Sequence, residues 1–224
     1  EMSASLVGSE MCIRDSNSSL FLESQNDLSS TEQRTIMTNI YEDSNWLLNM
    51  VENLLSVTRI QGDSLSINTT EEPVEEVVGE ALEKLKKRYP DAAIRVKIPE
   101  EFLMIPMDAV LIEQVTINLL ENAIVHSGSI LPIDFIVEDH PEHVSFIVRD
   151  YGKGLSEEKL QNLFETGTYN NSRSSDSRKG MGIGLSICKT IITAHHGTLN
   201  GRNHADGAEF CFTLPKSVDV ASEK

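Results

Sequence analysis

A two-layer α+β sandwich, in which one sheet is covered on one face by helices and preceded by a helical arm, is what this sequence of 224 residues predicts. Three observations carry the expectation. A coiled-coil-like apolar stripe is confined to residues 31–61, strand-like alternation is interleaved with helical periodicity after Gly62, and glycines cluster where strands and helices end.

Residues 1–16 are expected to lie outside the fold. "LVGSEMCIRDS" resembles translated adapter sequence, and the segment has neither a helical period nor the basic start and long apolar stretch of a signal peptide. Residues 17–62 form the arm. Met37, Ile40, Leu47, Val51 and Leu54 follow steps of three and four with Ser44 at one seam position, and Leu48 and Leu55 widen the stripe as bundle packing requires. Ser29, Ser30 and Thr31, followed by Glu32, supply capping chemistry, and Gly62 stops the helix. Residues 63–216 form the sandwich. "SLSIN" alternates as a strand, and Pro73 opens a helix with Val74, Val77, Val78, Ala81, Leu82 and Leu85 on one face. Strands follow at "AIRVKI", "IDFIV" and "HVSFIV", with a long helix from Met107 to His126 between the first two. A turn at "DYGKG", a short helix near "SEEKLQNLF", a polar loop over residues 167–179, a helix at "GIGLSICKTIITAH" and two strands around "GTLNGR" and "AEFCFTL" complete it. The polar loop has almost no apolar residue and is expected to be a mobile lid. Residues 217–224 are expected to be a disordered tail.

The balance of 19 Lys and Arg against 35 Asp and Glu, a net charge of −16, argues against non-specific binding to nucleic acid or anionic lipid. Any anionic ligand must therefore be held locally. Cys12, Cys188 and Cys211 form no metal-like pattern, which fits a reducing, cytoplasmic compartment, and burial is expected for the last two. No window approaches the roughly 20 apolar residues of a membrane span.

Three elements bear on chemistry. In "NLLENA", Asn118 and Asn122 lie one turn apart on one helix face, where an amide oxygen suits Mg²⁺ beside phosphate, although a pair of exposed asparagines would read the same. In "DYGKG", Asp150 at a strand end can accept from an exocyclic amine while Gly152 and Gly154 let backbone approach a flat ring; a plain turn has the same pattern. "GMGIG", with Gly180, Gly182 and Gly184, enters a helix whose first amides and dipole can hold phosphate. It has neither the ending of a P-loop nor the spacing of a dinucleotide fold.

The order of these elements resembles the ATP-binding (Bergerat) domain shared by sensor histidine kinases, Hsp90-type chaperones, type II topoisomerases and MutL, over roughly Ser64 to Pro215. The resemblance implies an asparagine box "NLLENA", a first glycine box "DYGKG", a phenylalanine box at Leu163 and Phe164, and a second glycine box "GMGIGL" ending at Leu185. It further implies that ATP and Mg²⁺ are bound: the metal by Asn122, the phosphate side by Asn118, the adenine amine by Asp150. Gly152 and Gly154 would line the base pocket, and Gly180, Gly182 and Gly184 the phosphates. Lys179 and Arg178 would touch phosphate or form a solvated basic pair. Where the chaperone and topoisomerase branch has a catalytic glutamate this chain has Asn118, which favours the kinase branch. "DSNWLLNMVENLLSVTRI" and "GMGIGLSICKTIITAHHGT" look like the KdpD-type potassium-responsive sensor kinases. The implied function is transfer of the ATP γ-phosphoryl to a histidine and thence to a response regulator, by a homodimer joined through a helical hairpin whose parent is anchored in a membrane.

One departure stands out. No His-Asp/Glu-Leu-Arg-Thr-Pro-like box is present, and His126, His140, His143, His195, His196 and His204 all fall in the nucleotide-binding region, where a surface or core role is the ordinary reading. The expectation is a truncated chain with no acceptor histidine of its own. A non-catalytic ATP-binding and dimerisation module is the alternative.

Overall fold

The computed structural model describes residues 29–41, 44, 47, 51, 67, 69–161, 163–164 and 183–217. The chain divides into two compact units, Glu1–Leu55 and Ser56–Lys224. In the first, residues 30–41 are helical. The helix opens on a reciprocal cap: Ser29 Oγ accepts from the Glu32 amide at 3.3 Å, and the Glu32 carboxylate accepts from the Ser29 amide at 2.9 Å. The Ser29 hydroxyl, which donates to the same carboxylate at 2.7 Å, and then the Ser29 amide hold the Glu32 carboxyl below its ordinary range. Ile36 is buried, whereas Met37, Leu47 and Val51 of the expected seam are exposed. Leu54 lies outside the described residues.

The second unit runs β1 (Thr70–Pro73), α1 (Val74–Arg88), β2 (Ile94–Lys97), β3 (Met104–Met107), α2 (Ala109–Ser127), β4 (Ile133–Asp139), β5 (His143–Arg149), α3 (Glu157–Gln161), α4 (Ile183–Ala194), β6 (Thr198–His204) and β7 (Gly207–Pro215). β1 and β3 pair as a small antiparallel sheet, and the main sheet has the order β2-β4-β5-β7-β6. The β2–β4 pair is parallel and the other neighbours are antiparallel.

Period-two alternation gives the main sheet one apolar face. Phe135, Phe146 and Phe212 are fully buried there, and the rings of Phe146 and Phe212 stack at 4.5 Å. Leu85 of α1, Leu120 of α2 and Ile191 of α4 join them in a single cluster. The helices thus cover one face, as the sequence predicts. α2 is held at both ends: Asp108 Oδ1 accepts from the Leu111 amide at 3.1 Å, and Gly128 caps the C-terminus at φ 63°. Lys84 of α1 meets Glu113 of α2 at 2.6 Å, and Arg88 pairs with Glu121 one to two turns further on. His195, buried just after α4, donates from Nδ1 to Ile191 O at 2.8 Å and accepts the Asp108 amide on Nε2 at 3.0 Å, which ties α4 to the start of α2.

On the opposite face, Arg95, Asp134, Arg149, Glu209 and Arg202 are successive register partners on β2, β4, β5, β7 and β6. Arg95 meets Asp134 at 2.6 Å, and Glu209 is held between Arg149 and Arg202, the latter at 2.5 Å. Tyr151 Oη donates to Asp134 Oδ2 at 2.5 Å.

Several expectations shift. The helix begins at Ala109 rather than Met107, because Met104–Met107 forms β3. Neither "TEEP" nor "MIPM" is long enough to show alternation, and the pairing that makes them strands is long-range. The parallel β2–β4 pairing was not foreseen. "SLSIN" lies mostly outside the described residues; Ile67 packs against the core. Cys188 is buried and Cys211 half-buried, while Cys12 is not described. Among the described residues no helix is long and apolar enough to cross a membrane.

Candidate functional site

The turn that leaves β5 is built around one carboxylate. Asp150 is buried, and its Oδ1 accepts from the Gly152 amide at 2.9 Å and the Ala208 amide at 3.3 Å. Its own amide donates to Ala208 O at 3.0 Å, so β7 fixes Asp150 through both backbone and side chain. A carboxylate bound to two amides stays oriented to accept further bonds from an amine.

The two glycines of the turn have separate reasons. A Cβ on Gly152 would stand 2.2 Å from Ser127 O, so the turn rests directly on the C-terminal backbone of α2. Gly154 has φ +69° and would bring a Cβ within 2.9 Å of Asn203 Oδ1. Close backbone contact with α2 and β6 is therefore what these positions display.

Asn118 and Asn122 sit one turn apart on α2, both half-buried. A Cβ on Gly184 would lie 4.0 Å from Asn118 Cγ, which places the first turn of α4 against the asparagine face. Asn118 also hydrogen-bonds the Cys188 thiol, which burial pushes up to about 12 against that bond's opposing effect. Leu185 is half-buried against the core. Leu163 fills a notch on β6 where a Cβ on Gly201 would come within 2.3 Å of it, and Lys189 Nζ lies 5.5 Å from the centroid of the Phe164 ring. The structure thus joins Asn118, Gly152, Gly184 and the Leu163–Phe164 pair to one α2–α4–sheet framework. Arg178, Lys179, Gly180, Gly182 and the loop 167–179 lie outside the described residues.

Three residues around Asp150 carried no sequence signal. Asn203 accepts the Leu155 amide on Oδ1 at 2.8 Å and donates from Nδ2 to Leu155 O at 2.7 Å. His204 donates from Nε2 to Asp150 O at 2.8 Å. Gly207 would put a Cβ 2.2 Å from that same carbonyl. Read locally, "NHADG" is only a hairpin connection.

With this geometry in place, residues 107–218 match the family described as histidine kinase-, DNA gyrase B- and HSP90-like ATPase, and the chain belongs to it. Its fold is that of a histidine kinase ATPase catalytic domain. It is similar to the sensor protein KdpD of Clostridium acetobutylicum, with 40% identity over 201 residues, 89% of this chain and 22% of that protein. It is also similar to the sensor protein KdpD of Escherichia coli, with 35% identity over 170 residues, 75% of this chain and 19% of that protein. The chain therefore spans about a fifth of the length of these relatives. The solved catalytic domain of histidine kinase ThkA aligns with a TM-score of 0.57 at 30% identity, over 67% of this chain and 97% of that one. ThkA in complex with the response regulator TrrA aligns in fold, with a TM-score of 0.70 at 23% identity, over 97% of this chain and 61% of that one.

Proposed function

We propose that residues 63–216 bind ATP with Mg²⁺ and present its γ-phosphoryl group to a histidine on a helical hairpin, as the catalytic part of a two-component sensor kinase. The observation that carries this reading is the fixed Asp150 carboxylate on a turn seated against the asparagine helix. Asp150 accepts the adenine amine, Gly152 and Gly154 line the base pocket, and Asn118, Gly180, Gly182, Gly184 and Leu185 form the phosphate side with Lys179. Phe164 anchors that side to α4. Among the described residues no three His, Cys, Asp or Glu side chains group as a metal site, so a cation here would draw on the Asn122 amide oxygen, phosphate and water, a donor set that suits Mg²⁺. The ion would supply charge neutralisation as the P–O bond to ADP breaks and the N–P bond forms.

Residues 17–62 are read as belonging to the dimerisation hairpin and residues 1–16 as foreign to it. The acceptor is a histidine outside this chain, which passes the phosphoryl group to a response regulator; the parent kinase is anchored in a membrane with this part in the cytoplasm. A non-catalytic ATP-binding and dimerisation module is the second reading, favoured by the lack of any histidine before His126. Calorimetry with a non-hydrolysable ATP analogue and Mg²⁺ tests the shared premise: heat of binding in the intact chain is expected, and none in a folded sample overturns both readings. Labelling of an added hairpin domain from γ-labelled ATP separates them.

A further inference from the structure

We propose that Asn203 is a positioning residue for base recognition, setting the turn that carries Asp150 from behind; this rests on the reading of Asp150 as the adenine acceptor. The β6–β7 hairpin contacts that turn at four points. Asn203 closes a two-bond ring with the Leu155 main chain, His204 holds Asp150 O, Ala208 holds Asp150 Oδ1, and the absence of a side chain at Gly207 allows the approach. Of these contacts, among the described residues, the one to the far end of the turn is made by Asn203. Its amide satisfies one donor and one acceptor of the Leu155 backbone at once, a match that an aspartate carboxylate or alanine lacks.

Asn203 Oδ1 also stands where a Gly154 side chain would go, at a residue already in the left-handed region. The turn between Asp150 and Leu155 is thus pinned at its start by Ala208 and His204 and at its end by Asn203. Releasing the end frees Gly152–Gly154 to move off Ser127, and the Asp150 side chain loses the Gly152 amide that orients it. The effect of such a change falls on the exocyclic amine of the base and spares the phosphates, which lie at the other glycine box.

The discriminating experiment compares ATP with purine riboside triphosphate, which lacks the 6-amino group, by calorimetry on the full chain with Mg²⁺. Wild-type protein should prefer ATP; Asn203→Ala and the nearly isosteric Asn203→Asp should each cut that preference by about tenfold while binding of the purine analogue holds. In an Asp150→Asn background, Asn203→Ala should add no further loss of preference. If Asp150→Asn abolishes the preference but both Asn203 variants keep it, the Asn203 proposal fails while the adenine reading stands. If Asp150→Asn itself leaves the preference intact, the adenine reading fails. Equal weakening of both nucleotides by Asn203→Asp would make Asn203 merely structural and also overturn the proposal.

Discussion

Asp150 and His195 show how single buried polar groups are settled here. Asp150 is buried with its bonds on backbone amides, so Asp150→Asn keeps the shape but replaces one acceptor oxygen by a donor facing those amides or the base. A charge-assisted bond contributes about 1.5–3 kcal/mol, so ATP affinity should fall about ten- to hundredfold, measured by calorimetry. His195 accepts the Asp108 amide, which only a neutral ring can do, and burial holds its pKa below the ordinary 6.5 despite the opposing bond to Ile191. The unfolded chain takes up that proton first, so the contribution is complete above about pH 6.5 and erodes as pH falls below it. Denaturant midpoints measured between pH 7.5 and 5.5 should decline with acid, and His195→Gln should flatten the decline. The strings that make Asn118, Asn122 and Asp150 candidates are local and can be read in the sequence. The bond of Asn203 to Leu155 cannot, since its partner lies 48 residues earlier in the chain.

Glycines separate the elements into those that tolerate a side chain and those that do not. Gly79, exposed in α1, has nothing within 4 Å of a Cβ, so Gly79→Ala should stabilise by about 0.5–1 kcal/mol through helix propensity. Gly197, between α4 and β6, would bring a Cβ within 2.0 Å of Thr213 O, and Gly197→Ala should destabilise by about 1–3 kcal/mol. Thermal denaturation of both variants should show shifts of opposite sign. At this scale α1, α2, α4 and the strands β4, β5 and β7 were readable from their apolar patterns, because each is long enough to repeat its pattern, whereas β6 has one apolar residue and was placed only by its position. β1 and β3 were not: at four residues each, only their mutual pairing defines them. The parallel β2–β4 neighbourhood likewise depends on α2 and β3 intervening, which no local window contains.

For the whole molecule, binding and chemistry should come apart. Incubated with γ-labelled ATP and Mg²⁺, the chain should bind nucleotide yet gain no acid-labile phosphate, and a separately supplied hairpin domain with a histidine box should become labelled slowly for want of a tether. Asn122→Asp should remove that labelling; strong self-labelling of the chain alone would contradict the assignment. Acid should weaken the sheet as well as the helix layer, because Glu209 is held below its ordinary 4.5: burial acts upward, but Arg149 and Arg202 outweigh it, so its contribution is present above about pH 4.5 and lost as pH falls through the folded value. The row from Arg95 to Arg202 has a further consequence for how the strands find their partners. Apolar alternation repeats every two residues, so it rejects a slip of one residue but is blind to a slip of two. Moving β7 two places along β5 would keep every phenylalanine facing inward while setting Cys211 or Gly207 opposite Arg149, and Glu209 would lose the Arg149 half of its pairing while keeping Arg202 of the neighbouring β6. The five charges therefore act as a vernier on the sheet, penalising the one class of misalignment that the hydrophobic pattern lets through.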